Sequence, residues 1–135
     1  MASIETAIRA ILTGASGVTD LVSTRIYPIA APQSVDRPFI VYELQGTEPV
    51  DSLTGTSTLT FSSFHISIWS DSYATTKSVS AAVLEALGDY TGTSDTINID
   101  WLRHDNTMDV DAWTADGAEF PLYGIDQIYK VAYQV

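Results

Sequence analysis

The chain holds two histidines, His65 and His104, and no cysteine. Any nucleophilic or metal chemistry must therefore come from hydroxyls, carboxylates and those two rings. Serine catalysis needs a base within reach of the hydroxyl and a third group that orients the base. No serine stands in a Gly-x-Ser-x-Gly elbow, and the two histidines lie far apart with no triad arrangement around either. His65 falls inside an alternating apolar stretch, the setting of a hydrogen-bonded structural histidine. The missing thiols also remove a disulfide framework, a thiolate nucleophile and cysteine-based zinc or iron–sulfur sites.

Carboxylates are plentiful. The segment "HDNTMDVDAWTADGAE" (residues 104–119) offers Asp105, Asp109, Asp111 and Asp116 as hard oxygen ligands of the type calcium takes. An EF-hand loop needs oxygen ligands at alternating positions, then a glycine and a closing glutamate. Here Trp113 stands where the third ligand belongs, and the span from Asp111 to Gly117 is one residue too long. Glu48 and Asp51, or Asp109 and Asp111, could pair for glycoside chemistry, but no aromatic-lined motif would place a sugar between them. The glycine-rich "TGASG" (13–17) has no lysine after it and no strand before it, so it is no phosphate loop. The expectation is a protein that is not an enzyme and needs no cofactor. A small metal- or ligand-binding domain built on the acidic segment is the alternative of a different class.

A scaffold of 135 residues, 45% hydrophobic and 17% charged, has to position these groups. That size fits one domain over residues 1–135 with a core of its own. No apolar run approaches the roughly 18 residues of a membrane span, and the N-terminus lacks the pattern of a secretory signal, so a cytoplasmic origin without membrane contact is expected. Six Lys and Arg face seventeen Asp and Glu. From Asp89 to Asp126 nine acidic residues accompany one base, Arg103. Such a surface repels phosphates instead of neutralising them, which argues against nucleic-acid capture.

Ser3 caps a first helix that carries Ile4, Ala7, Ile8, Ile11 and Leu12 at helical spacing, with Glu5 at the positive end of the dipole and Gly14 and Gly17 as stops. A short second helical piece around 18–22 is expected to pack Leu21 and Val22 beside that stripe. Pro28, Pro32 and Pro38 then make a semi-rigid strap that is neither helix nor central strand. A strand follows at 39–44, then a polar loop at 45–57, then a long strand at 58–70, "TLTFSSFHISIWS". Its alternation changes phase, because Leu59 and Phe61 are odd-numbered whereas Phe64, Ile66 and Ile68 are even. A bulge, a twist or a change of buried face would explain this. The best helix, 73–87, has Asp71 or Ser72 as cap and Gly88 as a left-handed stop, and lines up Val79, Val83, Ala86, Leu87 and Tyr90. A strand at 96–103 sets Ile97, Ile99 and Trp101 on one face, and a last strand from Tyr123 aligns Ile125, Tyr129, Val131, Tyr133 and Val135. Between them a long acidic loop, 104–122, carries Met108, Val110, Trp113 and Phe120. The fold class expected is α+β: a mainly antiparallel sheet of about four strands, two helices packed on one face, and a long protruding β-hairpin.

Taken in order, "SIETAIRAIL", "LVSTRIYPIAAPQSVDRPFIVYEL", "HISIWSDSYATTKSVSAAVLEAL" and "LYGIDQIYKVAYQV" resemble the tail-completion proteins of long-tailed bacteriophages, also called tail terminators or head-to-tail joining proteins. The resemblance spans essentially the whole chain. Arg25, Tyr27, Pro28, Pro32, Pro38 and Tyr42 fall on the family's strap and strand, and Trp69, Ser72 and Tyr73 on its strand-to-helix junction. The segment 104–122 departs from the family in being long and acidic. The resemblance implies a non-catalytic virion protein that forms a ring, typically six-fold, on the finished tail tube. There it stops tube growth and offers a surface to the head connector. A tail-tube or head-completion subunit is the related alternative. The partners implied are further copies of the chain, the tail tube protein and the connector, with DNA passing through unbound. The residues expected at such interfaces are Glu48, Asp51, Leu53, Leu59 and Phe61 on the hairpin, and Met108, Trp113 and Phe120 beyond it. Asp105, Asp109, Asp111, Asp116 and Glu119 would line an acidic lumen.

Overall fold

The computed structural model describes residues 3–32, 35–52, 55–113 and 122–134. Helix α1 (Ile4–Gly14) starts at Ser3, whose side chain accepts from the Thr6 backbone N–H while Thr6 Oγ1 accepts from the Ser3 N–H, a reciprocal cap. Ile4, Ala7, Ile8 and Leu12 are buried, as their spacing requires. The helix stops at Ala15, and Gly17 lies inside α2 (Ser16–Val22) instead of ending α1. Val18 and Val22 are the buried members of α2, and Leu21 faces out. In a helix this short, positions 18 and 22 share one face, four residues apart, and position 21 falls beside it.

The strands are β1 (Ile26–Pro28), β2 (Phe39–Ser52), β3 (Gly55–Ser70), β4 (Gly92–Ser94), β5 (Ile97–Trp113) and β6 (Leu122–Gln134), with α3 (Tyr73–Leu87) between β3 and β4. They form one six-stranded sheet in the order β1-β2-β3-β6-β5-β4. Only the β1–β2 pair is parallel. The fold is thus α+β, with six strands and three helices where the sequence pattern gave about four and two. The extra elements are the three-residue edge strands β1 and β4 and the short helix α2, and the expected strands are longer than their apolar patterns. Within the polar segments read as loops at 45–57 and 104–122, the described residues continue the strands: β2 runs to Ser52, β3 starts at Gly55 and β5 reaches Trp113. Cross-strand hydrogen bonding extends a two-stranded ribbon without an apolar alternation, so composition alone misplaces its end.

Helices and strands meet in one cluster. Ile8, Leu12, Val18, Val22, Val79, Val83 and Leu87 pack on Ile40, Tyr42, Phe64, Ile66, Ile68, Ile97, Ile99, Leu102, Tyr129, Val131 and Tyr133. All three helices therefore cover the same face of the sheet. A polar network is buried there too. Tyr129 Oη donates to Gln127 Oε1 at 2.6 Å, and Gln127 Nε2 donates to Ser80 O at 3.0 Å and to Ser80 Oγ at 2.7 Å. No buried side-chain polar atom among the described residues lacks a partner. α3 ends at Gly88, which is extended (φ −62°, ψ 129°) and not left-handed. Its need for glycine is steric, because a Cβ there would lie 2.7 Å from the Leu84 carbonyl oxygen. The left-handed residue is Asp89, with φ of 59°.

Both edges are covered only at one end. β1 pairs with β2 over Ile40–Tyr42, and β4 with β5 over Ile97–Ile99. Beyond those stretches, the outer sides of β2 (43–52) and β5 (100–113) have no strand partner among the described residues.

Candidate functional site

The face of the sheet away from the helices carries the unexplained side chains. Along β3 the odd-numbered residues Phe61, Ser63, His65, Ser67 and Trp69 alternate with the buried even-numbered ones. The phase change read in this strand involves no bulge in its pairing with β6, which runs unbroken from Leu59↔Gln134 to Ser70↔Tyr123. Leu59 and Phe61 instead belong to the opposite side from Phe64. Register breaks sit in the neighbouring pairings, after Leu44 and Pro49 in β2 and after Ile99, His104 and Val110 in β5.

The break in β5 overturns the alignment of Trp101 with Ile97 and Ile99. Those two are buried under the helices with Leu102, while Trp101 is turned to the open face. There its ring lies 5.9 Å from that of Phe61, which is 37% exposed, and both residues pair with Ala132. The Arg103 guanidinium stacks on Trp101 at 4.3 Å. Gln45, Gly46, Glu48, Phe61, Trp101 and Lys130 line an open-sided groove of about 530 Å³. The consecutive apolar pair Trp101-Leu102 is the signal in the sequence that could have exposed this break, since strict alternation forbids it on one face.

Further along the same face, His65 Nε2 lies 2.9 Å from Asp126 Oδ2, and Ser67 Oγ donates to Asp126 Oδ1 at 2.8 Å. Serine, histidine and aspartate thus come together, which the sequence did not announce. The arrangement is no catalytic relay. Ser67 and Asp126 approach the same ring nitrogen, at 3.4 and 2.9 Å, and the serine hydroxyl is already spent on the carboxylate. It is a cross-strand polar cluster that satisfies the His65 ring and the Asp126 carboxylate on the sheet surface. Trp69 packs next to it over Gly124, where a Cβ would come within 2.7 Å of the indole.

Of the residues expected at interfaces, Glu48 and Phe61 meet in the groove as direct cross-strand partners, Glu48↔Phe61. Leu59 lies on the same strand as Phe61, and Met108 is exposed on β5 toward the other end of the sheet. The proposed lumen residues Asp105 and Asp109 are exposed on β5, and Asp109 accepts from Tyr73 Oη at 3.0 Å. That bond raises the Tyr73 pKa. Asp51, Asp111 and Trp113 belong to β2 and β5 by their backbone. Leu53, Asp116, Glu119, Phe120 and Val135 lie outside the described residues. Arg103 and Lys130 were missed because charged strand residues carry no periodic signal. Among the described residues no group of three or more His, Asp or Glu could hold a metal ion, and no helix is long and apolar enough to cross a membrane.

The helices close one face of the sheet, and the other face presents aromatic and charged groups. The chain matches the family model of tail completion protein gp17 over residues 6–118, and it belongs to that family. It is a structural component of a phage-type virion tail. No curated protein matches it. Among solved structures it is similar to a chain in the virion of a native gene transfer agent particle, at 20% identity and a TM-score of 0.73, covering 98% of this chain and 96% of that one. That likeness establishes the shared fold.

Proposed function

We propose that the 135-residue chain acts as one domain and as a tail terminator. Copies of it close into a ring, of six by the family's habit, on the completed tail tube. The ring stops tube growth and presents a surface to the head connector, while DNA passes through without specific binding. Such a role involves no bond making or breaking.

The observation that carries the reading is the pair of unlike edges on opposite sides of one sheet, β2 at 43–52 and β5 at 100–113, that have no strand partner among the described residues. A ring needs two different patches per subunit, joined by a contact that closes. Both edges are protected against indiscriminate pairing, by Glu43, Gly46, Glu48 and Pro49 on β2 and by Arg103, His104 and Asp105 on β5, along with register breaks. One hairpin adds reach. The β2–β3 hairpin projects past the C-terminal end of β6. Contacts with neighbours, tube or connector are assigned in this reading to Glu48, Asp51, Leu53, Leu59, Phe61, Met108, Trp113 and Phe120. Asp105, Asp109, Asp111, Asp116 and Glu119 would give a lumen that repels phosphate over a Debye length of about 8 Å.

Electron microscopy of particles made without the protein tests this. The expected picture is tails of unregulated length that lack heads, with joining restored by adding the purified chain. Purified protein that polymerises alone into long tubes would instead mark a tail-tube subunit.

A further inference from the structure

We propose that the edge of β2 at 43–52 pairs antiparallel with the edge of β5 at 100–113 of a second copy of the chain, so that the sheet runs on from subunit to subunit. The inference rests on the ring reading and specifies its contact.

Strand direction supports the join. β2, β3, β6 and β5 alternate in direction, so β2 and β5 run opposite ways. Rotation about a ring axis therefore brings β5 of one copy beside β2 of the next in the antiparallel relation that already joins the long strands. The cover on β2 also ends abruptly. Ile29 donates its N–H to Tyr42 O at 2.9 Å and takes a φ of 65°, which turns the chain off the edge before Glu43. A β-branched residue is rare in that left-handed region, and Ile29 is 75% exposed, so burial of its side chain does not account for the conformation.

The two edge covers fix where such edges can meet, and both give the same answer. The registers assign each strand a level along β6. Pro28 of β1 is level with Gln127, through Tyr42 and Ile66, while Trp113 of β5 is level with Leu122. For a partner's β5 to lie along β2 above β1, its Trp113 must rise from level 122 to level 128, a shift of six residues. At the other end, Gly92 of β4 is level with Tyr133, through Ile99. Ser52 pairs with Gly55, four residues from Leu59, which pairs with Gln134, so the tip of β2 stands at level 138. The partner's β4 clears that tip when Gly92 moves from level 133 to level 139, again six residues. About ten residues of each edge then lie side by side, and an even shift keeps the helices of both copies on one side of the sheet.

Six residues at about 3.3 Å make a slide of roughly 20 Å over four long strands spaced about 4.8 Å apart, which a strand tilt of about 45° absorbs. Closed barrels tilt by about 35–45°, so the stagger is compatible with a closed ring. In this register Glu48 of one copy stands opposite Met108 of the next, and Gly46 opposite Val110. Acids occur on both edges, Glu43 and Glu48 on one and Asp105 and Asp109 on the other, so backbone hydrogen bonds hold the contact and charge does not. Pro49 withdraws one donor, which an edge position tolerates. A two-fold join of β2 to β2 would set Glu43, Glu48 and Asp51 against their own copies with no base among them.

The chain has no cysteine, so introduced pairs report the contact without background. Tails completed with the double variant E48C/M108C, oxidised mildly and denatured without reductant, should give a ladder of covalent multimers, about tenfold more than E48C or M108C alone. G46C/V110C, on the same register, should do the same. E48C/R103C, four residues out of step, should not. Completed tails in which neither in-register pair cross-links would overturn the proposal. So would self-linking of E48C, which marks a two-fold contact, or equal yields from E48C/R103C and E48C/M108C. Both in-register pairs, folded by circular dichroism and kept reduced, should still complete tails, because the ladder uses backbone groups; failure of both would also count against it. The ring reading stands or falls separately, on the length and joining of tails made without the protein.

Discussion

On the helix side of the sheet, Phe64, Ile66 and Ile68 of β3 are at most 1% exposed and lie against α1, α2 and α3. On the other side the same strand offers Phe61, Ser63, His65, Ser67 and Trp69, partly exposed, with His65 and Ser67 joined to Asp126. One strand thus serves two environments by alternation alone. The helix side carries the cohesion of the subunit, and even its polar members, Gln127, Ser80 and Tyr129, are bonded to one another. The open side carries groups whose net worth within a single copy is small, and which acquire a use when another surface covers them.

The sharpest way to break that contrast is truncation of two phenylalanines three residues apart. Phe64→Ala empties a fully enclosed site and should lower unfolding free energy by about 3–5 kcal/mol. Phe61→Ala, at 37% exposure, should lower it by no more than about 1 kcal/mol. Denaturant titration with a constant m-value decides it. Equal losses would mean that the open face is a second core and not a presented surface.

Gly124 probes where the open face is tightest. An added methyl would sit 2.7 to 2.9 Å from three ring carbons of Trp69, so Gly124→Ala should destabilise by about 1–3 kcal/mol through overpacking. Trp69→Leu in the same chain should recover most of that loss. A neutral Gly124→Ala would show that the indole is loosely held and that this part of the face is as open as the groove.

How these elements were legible in the sequence follows from the same contrast. The helix-covered side was readable, because burial imposes a period: Ile4 to Leu12, Val79 to Leu87 and Ile125 to Tyr133 fell on the faces their spacing required. The open side was not. Arg103 and Lys130 sit among residues whose exposure imposes no pattern, and Trp101 was drawn into the wrong row because the break after Ile99 shifts the count by one. The hairpin ends at 45–52 and 104–113 looked like loops for a related reason. Backbone pairing holds them, and backbone pairing leaves little trace in side-chain type.

Tyr129 ties the buried network to pH. Burial raises its pKa well above the ordinary tyrosine value near 10. The folded chain therefore keeps the proton at pH values where the unfolded chain loses it, and above about pH 10 stability falls as pH rises. Tyr129→Phe should lose about 0.5–1.5 kcal/mol at neutral pH, with the bond to Gln127, and should flatten the alkaline decline. Thermal melts between pH 8 and pH 11 would reveal it. An alkaline decline unchanged in the variant would assign it to another group.

The smallest expected effect bears most directly on what the open face is for. His65 and Asp126 are 24% and 19% exposed, intermediate between a surface pair and an enclosed one. If the face is solvated in the free subunit, a double-mutant cycle with His65→Gln and Asp126→Asn should give a coupling of at most about 1 kcal/mol, because water screens the pair. Arg37 and Asp71, at 36% and 56% exposure, should couple more weakly still. Because Ser67 donates to Asp126 as well, the aspartate keeps a partner when the histidine is removed, which further limits the loss. A coupling near 3 kcal/mol would be that of an enclosed ion pair. It would make the cluster a structural element of the single subunit, and the region open to a partner would then contract to the groove around Phe61 and Trp101.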